Sequence, residues 1–527
     1  MKSRVVSMCQ VREKVIRFLF YVVSILTLAG CVSSEQFYEE ASLSREAAYR
    51  QWKGRKEHQE QSQTLISGKL SLQDCLKLTL VNNKKLQRIV QEKEIARGKH
   101  LQSYSAILPS VSLTGDYTRK DEVPSFSVGG TPISLGDVDN YSAGLNVTQP
   151  IFAGGSIIAK INAAKLFSLF TDQTVRAAAQ NVIYAAQHSY YDVLLNQHLC
   201  RISADAVRSA QAHLDDVNKK RSVGVASDFD VLRAEVELSN FKADLIQIKN
   251  AIDISKTQLL KVMGISQDSE IVLSNKLTYA VSKVTMEQAV QVAYRNRPDL
   301  FGRHFDIKLQ KQLLTIARSR YWPTLSGFYN NIWSKPDPHR TMEIEWGHAW
   351  QAGFMTTLPV FDGFSREGEI IQQKARLKQS QIDLVDAEET TLFELTKALL
   401  SIQNAEEFVQ SQRLNLTRAE EGIRLVQVGY REGINTQVEV IDAESALTWA
   451  KALHYQAIYS HIIAKLDLQK AMGILSLKPP GKPAPETNPA VRNTRGDEHE
   501  NKIIAQNQTH RKLPLGDEPA VTIGEQK

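Results

Sequence analysis

Cysteine is nearly missing from this chain, and proline is missing where it would matter most. Four cysteines among 527 residues (Cys9, Cys31, Cys75 and Cys200) include no Cys-x-x-Cys pair, which excludes a fold stapled by disulfides or zinc. Cys75 and Cys200 lie in helical patterns; two buried thiols are expected, and a disulfide between them stays open. From Pro150 to Pro298 no proline intervenes and the only glycines are Gly154, Gly155, Gly224 and Gly264, so little in that stretch would break a helix. There is no GxSxG, HExxH, Walker loop or GxGxxG, and the histidines lack metal-ligand spacing, so no enzyme, metal or cofactor is expected. His454 and His461 stand about 10 Å apart along a helix, too far for one ion, and read as packing residues. Nor does one sign of charge dominate. The formal charge is +6, and Lys2, Arg4, Arg12, Lys14 and Arg17 against Glu13 put +4 of it in the first thirty residues, so nucleic acid is not an expected partner.

What is present begins with an address. The basic start leads into an apolar run, Phe18 to Leu28, of signal-peptide length and too short to span a bilayer. Leu28-Ala29-Gly30-Cys31 resembles the bacterial lipoprotein box, whose cysteine is diacylated, and Val32 and Ser33 in place of Asp imply sorting to the outer membrane. Residues 1–30 then form a signal peptide and 31–69 a linker anchored through Cys31.

The chain also repeats itself. Asn82, Leu86 and Pro109 recur as Asn296, Leu300 and Pro323, a shift of 214. Pro150-Ile-Phe-Ala-Gly recurs as Pro359-Val-Phe-Asp-Gly, Gly224 as Gly433, and Met263-Gly264-Ile265 as Met472-Gly473-Ile474, a shift of 209. The five-residue difference falls between Leu113 and Tyr141, where a surface loop absorbs it. The first unit covers 70–283 and the second 284–476; a polar, proline-rich tail over 477–527 is expected to be disordered.

Each unit should open with one helix, Ser71 to about Ser105 and Thr285 to about Arg318, closed by Pro109 and Pro323. Two strands follow, the clearest having Tyr141, Ala143, Leu145 and Val147 alternating with polar residues, long enough to cross a bilayer tilted. Trp322, Trp333, Trp346 and Trp350 flank the second pair, as at membrane interfaces. Helices from about Ser156 to Ser222 and Arg366 to Arg431, each roughly 100 Å long, then turn into helices carrying a heptad seam. The seam starts at Val231, Ala234 and Leu238 in the first unit, and at Val440, Ala443 and Leu447 in the second. Gly224 and Gly433 fit helix C-caps at the turns, while Ser227 and Thr436 can cap the returning helices. The fold class is mainly α, with long antiparallel hairpins and four membrane strands per chain.

The lipobox, the duplicated units, Asn296-Arg-Pro-Asp-Leu, the Pro359-Val-Phe-Asp-Gly turn and the glycine-bearing tips together resemble the TolC-like outer-membrane efflux factors, in their lipidated branch. Asn82-Asn-Lys-Lys-Leu departs from the pattern by lacking the proline. The resemblance implies a homotrimer with a shared twelve-stranded barrel and a periplasmic tunnel, a passive exit duct coupled through a periplasmic adaptor to an inner-membrane pump. It also implies a gate at the tips, with Tyr430, Glu439 and Asp442 facing Asp230 of the first unit. The family's cross-tip arginine is Asn435 here, leaving Arg431 or Arg233 as substitutes, and the adaptor would dock near Gly224 and Gly433. Clustered carboxylates from three copies would raise one another's pKa and favour cations. The alternative is a coiled-coil outer-membrane adhesin or scaffold; the cargo is not readable.

Overall fold

The computed structural model describes residues 34–57, 68–129, 131–134, 136–281, 283–340 and 344–475. The expected signal peptide, Cys31 and the polar tail lie outside them. Helix α1 (Ser34–Glu57) and a short strand β1 (Gly68–Leu70) precede the first unit. That unit comprises α2 (Leu72–Asn82), α3 (Lys84–Ser103), β2 (Ser110–Arg119), a small hairpin of β3 (Ser125–Val128) and β4 (Thr131–Ser134), β5 (Asp139–Ala153), α4 (Ser156–Ser222) and α5 (Asp228–Met263). After β6 (Ile271–Leu273) the plan repeats as α6 (Met286–Asn296), α7 (Pro298–Ser319), β7 (Thr324–Lys335), β8 (Gly347–Thr357), α8 (Ser365–Arg431) and α9 (Gln437–Ala471). The extra hairpin β3–β4 occupies the interval to which the repeat confined the length difference.

One expectation is corrected: each opening helix is two. The chain turns extended at Asn83 (φ −62°, ψ 116°) and at Arg297 (φ −66°, ψ 119°). In the second unit Pro298 keeps the residue before it out of the helical region and takes the first position of α7. In the first unit, without a proline, the Asn83 side chain accepts the Leu86 N–H at 2.9 Å and caps α3. The same two residues tie the units shut. Asn83 Nδ2 donates to the Val262 carbonyl at 2.7 Å, and Arg297 Nη1 donates to the Ala471 carbonyl at 3.1 Å, acceptors that match at the shift of 209. Gly264 and Gly473, both with positive φ, lie under these joints. A Cβ on Gly473 would come within 2.8 Å of the Arg297 Cα, and one on Gly264 would strike the Asn82 backbone.

The strands form one antiparallel sheet in the order β2–β5–β7–β8, and the helices that enter or leave them, α3, α4, α7 and α8, pack side by side in the same order. Each long helix returns along its partner, α5 along α4 and α9 along α8. The seam is where the heptads put it: Val231, Ala234, Leu238 and Phe241 are buried against Ala206, Ala210, Leu214 and Val217 of α4. On α9, Ala450, Ala457, His461, Ala464 and Leu468 are buried. β1, β6 and α2 cover the middle of α4 through a core including Cys75, Tyr190, Val193, Leu259 and Met263. Cys75 and Cys200 are both free thiols, and burial pushes Cys75 up to about 12, which makes it inert.

Candidate functional site

The sheet has two unlike faces. Its register places Val111, Leu113, Tyr141, Leu145, Val147, Tyr329, Trp333, Trp350 and Phe354 on one face, interrupted by Asn331, Lys335 and His348. The other face carries Ser112, Thr114, Asp116, Ser142, Asn146, Thr148, Asn330 and Gln351, interrupted by Phe328, Ile332 and Met355. Leu113 is 80% and Phe354 76% exposed, so the apolar face covers no core of its own. β2 and β8 each have a free edge among the described residues. No described helix is long and apolar enough to cross a membrane, which says nothing of the sheet.

At the far end of the long helices both hairpins close by one recipe. Gly224 and Gly433 share φ +78°; Gly224 and Val225 donate to Arg221 and Lys220, and Gly433 and Ile434 donate to Tyr430 and Gly429. This is the left-handed helix cap the glycines announce. Ser227 and Thr436 then start α5 and α9 with reciprocal capping boxes, in which Asp230 accepts the Ser227 N–H at 2.9 Å and Glu439 the Thr436 N–H at 2.7 Å. These bonds define two of the expected gate residues. The Ser227 hydroxyl and N–H hold Asp230 below the usual carboxylate range; the Thr436 N–H, the Asn435 amide and the Thr436 hydroxyl do the same for Glu439. Within one chain both are helix caps, and Asp442, one turn on from Glu439, is exposed.

Tyr430 has no hydrogen bond to Asp230 among the described residues. Its ring instead lies under Lys220 Nζ, 3.6 Å from the ring centre, with the His213 ring 5.8 Å away. Lys220 also pairs with Asp216 at 3.2 Å. Burial disfavours its charge, but Tyr430 and Asp216 outweigh that and raise its pKa. Arg431 donates to the Gln427 carbonyl of its own helix at 3.3 Å, and Arg233 is exposed. Asn435 folds over Gly429 and donates to Glu439 at 3.2 Å. A second contact joins the tips: buried Gln437 donates to the Asp230 carbonyl at 2.9 Å. Higher up, Ser445 donates to Glu237 at 2.9 Å, beside Glu444, whose pKa burial and then Glu237 raise. Lys220, His213 and Gln437 are the tip residues that sequence reasoning missed. The seven-residue spacing of His213 and Lys220 marks a shared face, but nothing local says that Tyr430 lies across from it. No cluster fit to hold a metal occurs among the described residues.

Comparison with known proteins agrees with this geometry. The chain is 22% identical over 401 residues to the outer membrane protein TolC of Vibrio cholerae, covering 75% of this chain and 89% of that one. It is 20% identical over 414 residues to the proteases secretion protein PrtF of Dickeya chrysanthemi, covering 77% and 89%. Among solved structures, the outer membrane protein VceC of Vibrio cholerae superposes with a TM-score of 0.68 at 17% identity, over 76% of this chain and 96% of that one. The Neisseria gonorrhoeae MtrE channel, in its open state, gives 0.65 at 17% identity, over 76% and 89%. A family model for outer membrane efflux proteins matches residues 75–265 and 289–474. The chain therefore belongs to the outer membrane efflux protein family.

Proposed function

We propose that this protein is the outer-membrane exit duct of a tripartite efflux or secretion system, passive in itself and supplied by an inner-membrane pump through a periplasmic adaptor. The observation that carries the reading is a four-stranded sheet with an exposed apolar face and two free edges, continued strand by strand into helices, two of them 67 residues long. Open edges are not tolerated in lipid, so the edges must be paired by further copies. Three copies give twelve strands and a helical tunnel of the same order. Cys31 anchors each copy by lipid, and the adaptor seats around the Gly224 and Gly433 tips. The tips form the gate: Asp442 faces the passage, and Lys220 on Tyr430 holds the second hairpin to the first within each copy. Arg431 and Arg233 remain available to a neighbouring copy's carboxylates, Asp230 and Glu439 among them. An adhesin or scaffold would not need the exposed apolar face of the sheet. The deciding experiment is the native mass of protein extracted from outer membranes, followed by planar-bilayer recording. Three copies with ion current are expected; a monomer, or a trimer that never conducts, would overturn the duct.

A further inference from the structure

We infer that a lysine-rimmed groove between α4 and α7 binds the anionic headgroup of a phospholipid in the periplasmic leaflet, just below the barrel. The inference rests on the duct reading for its orientation. The groove has a volume of about 280 Å³ and is lined by Asn162, Lys165, Leu166 and Leu169 of α4 with Lys308, Lys311 and Gln312 of α7.

Three features point to that ligand. First, Lys165, Lys308 and Lys311 are exposed and have no ion-pair partner among the described residues, although nearby cations do: Lys93 pairs with Asp172 at 2.7 Å and Arg303 with Asp383 at 3.1 Å. Lys308 and Lys311 repel each other one turn apart on the same helix, a cost that an anion between them and Lys165 removes. Leu166 and Leu169 add an apolar wall, and Asn162 and Gln312 add hydrogen-bond donors, so the site suits a charged group with a hydrocarbon tail rather than a bare ion.

Second, the height fits. Asn162 and Lys165 lie roughly 9 and 14 Å below the start of α4 at Ser156, and Lys311 and Lys308 roughly 12 and 16 Å below the end of α7 at Ser319. Trp322, at the foot of β7, is exposed and marks the edge of the hydrocarbon. The headgroup layer adds about 5–8 Å beyond that edge; the Lys165 stem, which leans toward the start of α4, and the Lys311 stem reach several ångströms upward to meet it, with Lys308 one turn below them.

Third, the groove opens away from the passage. Lys165 and Arg176 are eleven residues apart on α4, about three turns, which puts them within roughly 20° of one another. Ile183, seven residues further on, is eighteen residues or about five turns from Lys165 and so on that side too, and it is buried with Leu76 of α2, so this side of α4 is the side on which the second layer packs. A tube has room for a second layer only on its outside, where the lipid is.

The test uses full-length protein in detergent and fluorescently tagged phosphatidylglycerol, with tagged phosphatidylcholine for comparison. Wild type should bind phosphatidylglycerol the more tightly. The triple variant K165Q/K308Q/K311Q should lose about tenfold in affinity, while K165R/K308R/K311R keeps it. Native mass and conductance of the glutamine variant should match wild type, which separates this inference from the duct reading. Equal binding by wild type and the glutamine variant would overturn the lipid site. So would complete displacement of the lipid by millimolar inorganic phosphate, which would make the site one for free phosphate.

Discussion

Lys220 and Tyr430 make the clearest single-residue contact between the two hairpin tips, and its chemistry sets the size of its effect. An ammonium over an aromatic ring is worth about 0.5–1 kcal/mol at a partly exposed site. Lys220→Met should therefore raise open probability roughly two- to fivefold in single-channel recordings, with no loss of trimer; an unchanged open probability would remove Lys220 from the gate. Asp442→Asn tests a different property. It should lower the cation-to-anion permeability ratio, because Asp442 is the expected gate carboxylate not occupied in capping a helix within its own chain. Glu439→Ala would mix selectivity with loss of a cap, a cost of about 1 kcal/mol. The residue identities at the tips were readable because glycine, serine, threonine and acid at fixed offsets have one local use. The partners were not, since Lys220 and Tyr430 are 210 residues apart and meet only through the packing of α4 against the second unit.

The joint between short helices shows how one element survives a change of chemistry. Arg297 is buried, its guanidinium shared by Asp299 at 2.6 Å, Glu394 at 2.5 Å and the Ala471 carbonyl. Burial opposes its charge, yet the two carboxylates raise its pKa further, and it lowers that of Asp299 in turn. Arg297→Ala should cost about 2–3 kcal/mol in urea unfolding, less than a fully buried pair would, because both carboxylates remain partly solvated. The double variant R297N/P298K copies the Asn83-Lys84 joint of the first unit. It should recover about 1 kcal/mol of that loss through a side-chain cap and a bond to the Ala471 carbonyl; no recovery would mean the two joints are not interchangeable. The long helices, their seams and the four strands were legible because period and punctuation are local signals. The split of the opening helices carried a local signal only in the second unit, Pro298; Asn82-Asn83 has no proline, and the capping bond of Asn83 shows only in three dimensions.

At the scale of the molecule, its histidines set the response to acid. Burial holds His198, His213, His454 and His461 below the ordinary imidazole range, so each binds a proton less readily folded than unfolded. Their contribution is complete above about pH 6.5 and lost as the pH falls through their folded values. His188 runs the other way, since its bond to Asp192 raises it and its contribution is lost as pH rises. The four depressed imidazoles act against His188 and the raised Glu444 carboxyl, and the thermal midpoint is expected to fall between about pH 7 and pH 5.5. His461→Gln should flatten that slope, and a midpoint that rises on acidification would put His188 and Glu444 in control. Assembly was the least legible level: a sheet edge reads the same in sequence whether solvent, a loop or another chain covers it. The two free edges also carry a consequence for heredity. β8 and β2 are different surfaces, so the proposed ring of three would close only head to tail, with every copy needed by both neighbours. A cell making equal amounts of sound chain and chain with a spoiled β2 edge would, by random mixing into rings of three, complete roughly one ring in eight. Damage to one strand edge should therefore behave as a dominant trait.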